Sequence, residues 1–152
     1  MKDSIHKYFQ IGTIQWMSHP PADYEVLDSI KTICCDDYFD VLEVTQMKEE
    51  AVRESARRML EQSHIKVCYG AQPRLLGPGL NPNDIDENGR LKAEKTLMDA
   101  VDEAEYLGAG GIAFLAGKWE EKTKEKAYQQ LLKTTKNVCD YAAGKGMTVE
   151  LE

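Results

Sequence analysis

Five short apolar runs alternate with charged segments of helical period, and this alternation constrains the fold more than any other feature of the chain. Residues 8–16 are rich in β-branched and aromatic side chains, alternate loosely and end at a Ser18-His19-Pro20-Pro21 turn, so they read as a first strand. From Asp23, a candidate N-cap, to about Cys35, the residues Tyr24, Val26, Leu27, Ile30 and Ile33 recur at helical spacing. Residues 39–44 form a second strand with one carboxylate, Glu43, inside it. Residues 48–62 follow as a helix whose stripe is Ala51, Val52, Ala56, Met59 and Leu60. A third strand, 65–70, precedes a helix over 91–107 with Leu97, Ala100, Val101, Ala104 and Leu107 on one face and Gly108 as its stop. Residues 112–117 carry no charge and suit a strand covered on both faces; a helix over 123–143 and a fifth strand over 147–151 complete the pattern.

Strands that alternate with helices need crossover connections, which give a parallel sheet with helices outside it. Right-handed crossovers leave an open doubly wound sheet or a closed (β/α)8 TIM barrel. The first strand-to-helix turn, Met17-Ser18-His19-Pro20-Pro21, holds neither a G-x-G-x-x-G nor a P-loop pattern, which favours the barrel. One connection is unlike the others: residues 71–86 hold Pro73, Pro78 and Pro82 with Gly77 and Gly79. A long loop after a barrel strand lies on the C-terminal face, where active sites are built, so a substrate-facing role is expected for it.

The 152 residues read as a single domain, 1–152, large enough to bury a core. With 26 acidic against 19 basic residues the net charge is -7, which disfavours a nucleic-acid backbone or a membrane surface as partner. Small neutral or metal-bridged ligands fit better. No apolar run of about 18 residues exists and residues 1–7 lack a signal-peptide core, so a cytoplasmic protein is expected. Cys34, Cys35, Cys68 and Cys139 have no zinc-site spacing and read as reduced, mostly buried thiols.

Three segments carry a family resemblance. Phe39-Asp40-Val41-Leu42-Glu43-Val44 resembles an FDxxE second strand, Leu107-Gly108-Ala109-Gly110-Gly111-Ile112 an LGAxxI approach to a fourth strand, and Gly146-Met147-Thr148-Val149-Glu150-Leu151-Glu152 a fifth strand that ends in glutamate. Together, in this order, they resemble the sugar phosphate isomerase and epimerase superfamily with the xylose isomerase-like barrel. The resemblance implies a (β/α)8 barrel, of which about five strands and four helices are present, with a divalent cation (Mn, Mg, Co or Zn) at the C-terminal mouth. It also implies that Glu152 is the first metal ligand, doubling as the acid/base, while the other ligands come from later strands. This stretch alone is then expected to lack the activity of its parent. The implied reaction is isomerisation or epimerisation of a sugar or sugar phosphate, by proton transfer through an enediolate held by the cation.

The residues themselves support such a mouth. Side chains alternate along a strand, so Glu150 and Glu152 share a face; with Val149 and Leu151 under the helices, both carboxylates point inward, where a cation offsets their desolvation. Trp16 at the end of the first strand suits an apolar wall against a sugar ring. Glu43, charged among apolar neighbours, and Gln72, which can donate and accept, suit a polar pocket. Trp119 suits a cover over the site, and Arg74 a phosphate partner. His19 reads as a loop side chain, and His6 and His64 as non-catalytic. Two other readings stand beside the isomerase: an abasic-site endonuclease-like phosphodiesterase, disfavoured by the acidic charge and the lack of a histidine on the third strand, and a non-catalytic half-barrel module. Exposed sheet edges in such a module imply self-association into a homo-oligomer or capture of a second fragment.

Overall fold

The computed structural model describes residues 4–23 and 25–152, so Tyr24 of the first helical stripe and residues 1–3 of the N-terminal lead lie outside the described residues. The strands are β1 (Gly12–Ile14), β2 (Val41–Val44), β3 (Lys66–Gly70), β4 (Gly111–Phe114) and β5 (Thr148–Leu151). All pair in parallel, in the order β1-β2-β3-β4-β5. A doubly wound sheet reverses its direction of growth once. This sheet grows one way throughout, as a barrel wall must. The helices are α1 (Gln15–Ser18), α2 (Val26–Cys34), α3 (Glu50–Gln62), α4 (Gln72–Leu76), α5 (Glu87–Tyr106) and α6 (Lys124–Ala143). None of the described helices is long and apolar enough to cross a membrane.

Register sorts the strand residues between two faces. Leu42, Val44, Val67, Tyr69, Ile112 and Phe114 are buried against Ile30, Ile33, Ala56, Leu60, Leu97, Val101 and Val138. Each large apolar side chain fully buried there contributes about 1.5–3 kcal/mol, so this face holds the sheet to its helices. The alternate residues face the other way: Glu43 stands in register with Ile14 and Cys68, and Ala113 with Gly70 and Glu150. That second face forms a groove of about 520 Å³ lined by Ile14, Met17, Val41, Glu43 and Cys68.

The ends of the long helix α5 show how the sequence sets its boundaries. Asp86 Oδ2 accepts the Gly89 amide at 3.1 Å as an N-cap. At the other end Gly108 has φ +77°, and the Gly108 and Ala109 amides donate to the Glu105 and Ala104 carbonyls, a Schellman stop. Asp86→Ala is expected to cost about 1 kcal/mol, read as a lower urea midpoint at unchanged slope.

Several boundaries differ from the sequence reading. The first strand stops at Ile14 because Gln15 turns inward, 3 % exposed, and its Nε2 donates to Ser29 Oγ on α2 at 2.8 Å. Trp16 therefore stands on α1 rather than on a strand. Asp23 is not the cap of α2: its amide closes a turn on the Pro20 carbonyl, and Glu25 precedes the helix. The 71–86 loop contains α4, with Pro73 in its first turn. Helix α5 starts at Glu87, four residues before the expected 91. The cysteines are free but not mostly buried: Cys35 is exposed and the other three are partly so.

Candidate active-site wall

Gly70 ends β3, and the space above its Cα is filled from three sides. A Cβ placed on it would stand 2.2 Å from Trp16 Cη2, 2.5 Å from Glu43 Oε1 and 2.6 Å from Gln72 Oε1. Trp16 arrives from α1, Glu43 from β2 and Gln72 from the first position of α4, all at the C-terminal end of the sheet. Only a residue without a side chain permits this convergence. Thr45 Oγ1 donates to the Gly70 carbonyl at 2.7 Å and ties the end of β3 to β2.

Glu43 Oε1 and Gln72 Oε1 there are both buried atoms with no hydrogen-bond partner among the described residues. An orphaned buried acceptor costs about 1–3 kcal/mol. The other end of the Gln72 amide is engaged: Nε2 donates to Glu152 Oε2 at 3.1 Å. Glu152 continues the β4–β5 ladder, its amide bonding the Phe114 carbonyl at 3.0 Å and its carbonyl receiving the Ala116 amide at 2.8 Å.

Burial raises the Glu43 carboxyl above its ordinary range, and the negative charges of Glu152 and then Glu150 push it the same way. The Cys68 thiol beside it is also raised, by burial first and then by Glu43, so it is held protonated rather than activated. A carboxyl whose folded pKa lies above its unfolded value stabilises the fold fully below the unfolded pKa. That contribution is lost as pH rises through the folded pKa. Glu43→Gln is therefore expected to melt higher than the parent at pH 7, with the two curves meeting below the ordinary value of 4.5. A variant that melts lower than the parent at pH 7 would contradict this.

Residues 29–152 match the family described as the xylose isomerase-like TIM barrel. The chain belongs to that family. Solved structures agree in fold. A D-tagatose 3-epimerase-like protein superposes with TM-score 0.75 at 15% identity, over 94% of this chain and 52% of its own length. D-psicose 3-epimerase from Clostridium cellulolyticum H10, solved with D-tagatose, gives 0.72 at 15% identity, over 93% and 51%. A xylose isomerase domain protein from Planctomyces limnophilus gives 0.62 at 16% identity, over 95% and 54%. At these identities the likeness is one of fold. The chain spans about half the length of these barrels. No curated protein matches it.

Within this barrel wall, four of the residues singled out from sequence come together: Trp16, Glu43, Gln72 and Glu152. Trp119 does not join them. It is half exposed, with Lys124 Nζ 4.9 Å from its ring centroid, and lines a cavity of about 590 Å³ with Asn83, Tyr128 and Leu131. Glu152 lines a separate cavity of about 340 Å³ with Leu76, Asn81 and Lys118, and the two share Ala116 and Gly117. Arg74 is not available for a phosphate, because its guanidinium pairs with Glu103 and its Nε donates to Tyr69 Oη at 2.8 Å. His19 Nδ1 lies 3.0 Å from Ser18 Oγ in the α1–α2 loop. His6 pairs with Asp40 at 3.0 Å, and exposed His64 precedes β3; both stand at the end of the sheet opposite Glu152. The sequence reading missed Gly70, whose only signal was a strand-terminal glycine.

The carboxylate of Glu152 suits a hard divalent cation, which takes oxygen ligands. Among the described residues no group of three or more His, Cys, Asp or Glu side chains stands close enough to hold a metal. The fit of this chain to a cation rests on Glu152, with the orphaned oxygens of Glu43 and Gln72 beside it.

Proposed function

We propose that this chain forms part of the active site of a metal-dependent sugar isomerase or epimerase. In it, Glu152 serves as a metal ligand and proton-transfer group, and Trp16, Glu43 and Gln72 bind the sugar. The supporting observation is the meeting of Trp16, Glu43 and Gln72 over Gly70, with the Gln72 amide bonded to Glu152. Gln72 Nε2 fixes the direction of the Glu152 carboxylate, while the half-buried Glu43 carboxyl, which lines the groove, hydrogen-bonds sugar hydroxyls. The Trp16 ring offers an apolar surface to the C–H face of the sugar, and Trp119 is an outer aromatic wall reached past Gly117. A divalent cation, when bound, stabilises negative charge developing on the substrate oxygens.

Glu43, Glu150 and Glu152 all belong to the groove face. Their shared charge favours an uncharged polyol over a phosphate and disfavours the phosphodiester backbone of a nucleic acid. The test is turnover of a panel of ketoses by the full-length gene product with and without added Mn²⁺, beside its Glu152→Gln variant. Glu152→Gln is expected to lower metal-dependent turnover by about 100-fold or more. Undiminished turnover in the variant would sink the assignment.

A further inference from the structure

We propose that Glu103, buried in the helix layer, is a positioning residue for the Gln72–Glu152 pair and acts through Arg74 and α4. Its relevance to catalysis rests on the reading of that pair as part of the active site. Glu103 is 8 % exposed and has three donors: Oε1 accepts the Met47 amide at 2.8 Å, and Oε2 accepts Tyr69 Oη at 3.2 Å and the Arg74 guanidinium. Three segments of the C-terminal face thus meet on one carboxylate: the β2–α3 loop through Met47, β3 through Tyr69 and α4 through Arg74. The same three segments or their flanking strands carry Glu43, Gly70 and Gln72, which meet at the C-terminal end of the sheet.

Helix α4 has five residues, far too few to be stable by itself, so its orientation comes from its anchors. Leu75, 1 % exposed, fixes its depth in the core. Successive helical residues turn by about 100°, which puts Gln72 and Arg74 on opposite sides of α4. Gln72 reaches Glu152 across the mouth while Arg74 reaches Glu103 in the helix layer. Holding Arg74 therefore fixes the rotation of α4 about its axis, and with it the aim of the Gln72 amide. Apolar residues of equal volume often serve stability as well as a buried ion pair does. What the pair adds here is direction, because a carboxylate with three donors accepts each along a defined line.

The experiment reads the Gln72 side-chain amide in ¹H–¹⁵N spectra of the labelled chain, assigned through its loss in Gln72→Ala. Glu152→Ala gives the resonance positions of a released Gln72. Glu103→Gln, and the milder Tyr69→Phe should the first fold poorly, are expected to move the Gln72 pair at least halfway to those positions. Glu94→Gln breaks an ion pair elsewhere on α5 and is expected to leave the Gln72 resonances in place. Gln72 resonances that match the parent in both Glu103→Gln and Tyr69→Phe, or that move equally in Glu94→Gln, overturn the proposal. Metal-dependent turnover and its response to Glu152→Gln judge the proposed function separately, since the amide readout needs neither metal nor substrate.

Discussion

Gly70→Ala is expected to lower stability by about 1–3 kcal/mol and, on the proposed reading of the site, to lower sugar turnover by about 100-fold. The cause is crowding rather than backbone strain, because Gly70 is not among the glycines with positive φ. One methyl group would collide with Trp16 Cη2, Glu43 Oε1 and Gln72 Oε1 at once, and all three cannot retreat without opening the wall they form. The worst of the three approaches, 2.2 Å, is to the far edge of the indole. Trp16→Phe removes that edge, so Gly70→Ala/Trp16→Phe should recover part of the stability loss, a coupling expected only between residues in contact. Urea titrations of the four proteins measure it, with Trp16 emission shifting to the red in Gly70→Ala as the ring is pushed toward water. Strict additivity of the two substitutions would show that the methyl group and the indole do not meet.

The order of strands and helices was legible because each element is long enough for its period to show. Residues 91–107 contain five stripe positions, and Leu97, Ala100, Val101, Ala104 and Leu107 are all buried. Boundaries failed where a tertiary contact overrides local pattern. Residues 8–16 look extended throughout, yet the buried bond from Gln15 to Ser29 turns the chain into α1 two residues early. Gly89 looks like a reason for α5 to start late. It is tolerated in the first turn because Asp84 packs against it, leaving 2.2 Å between Asp84 Oδ2 and the place of a Cβ. The α4 turn carried a readable signal, a proline in the first turn, inside a loop whose other prolines and glycines obscured it.

The site was legible residue by residue but not as a constellation. Glu43 stands out in an apolar strand, and Glu152 follows from the fifth-strand pattern. Their relation depends on register, which pairs Glu43 with Cys68 and Ala113 with both Gly70 and Glu150. Short parallel strands do not advertise register in their sequence, since any even shift keeps the same side chains on the same face. The role of Arg74 was unreadable for a related reason. Its partner Glu103 lies 29 positions away on α5, and only the packed helix layer brings the two together.

Arg90→Met is expected to destabilise the fold by about 3–5 kcal/mol, the range for stranding one member of a buried ion pair. Arg90 is 3 % exposed at the seam of α5 and α6, and its guanidinium donates to Glu94, to both Glu87 oxygens and, at 3.1 Å, to Thr134 Oγ1. Thr134 passes the network on to the Pro82 carbonyl at 2.8 Å, which joins the 71–86 loop to α6. Glu94 is 8 % exposed in the parent, and with Arg90 gone the donor left to it among its described partners is Asn137 Nδ2, 2.9 Å away in the parent. Domains of this kind have total stabilities of about 5–15 kcal/mol, so the loss is a large share of the whole. Arg90→Met/Glu94→Leu should recover most of it, because an apolar pair avoids the desolvation that the lone carboxylate suffers. The pH profile separates this network from simple loss of packing. Hydrogen bonds from Arg90 and then Gln130 hold the Glu87 carboxyl at about 2, a depressed value, so its stabilisation is present above the unfolded pKa of 4.5 and is lost as pH falls toward 2. With Arg90 gone, that part of the acid sensitivity should shrink: the gap in urea midpoint between parent and Arg90→Met, wide at pH 7, narrows as pH drops from 4.5 toward 2. A gap that stays constant over that interval would assign the loss to packing of the Arg90 stem alone.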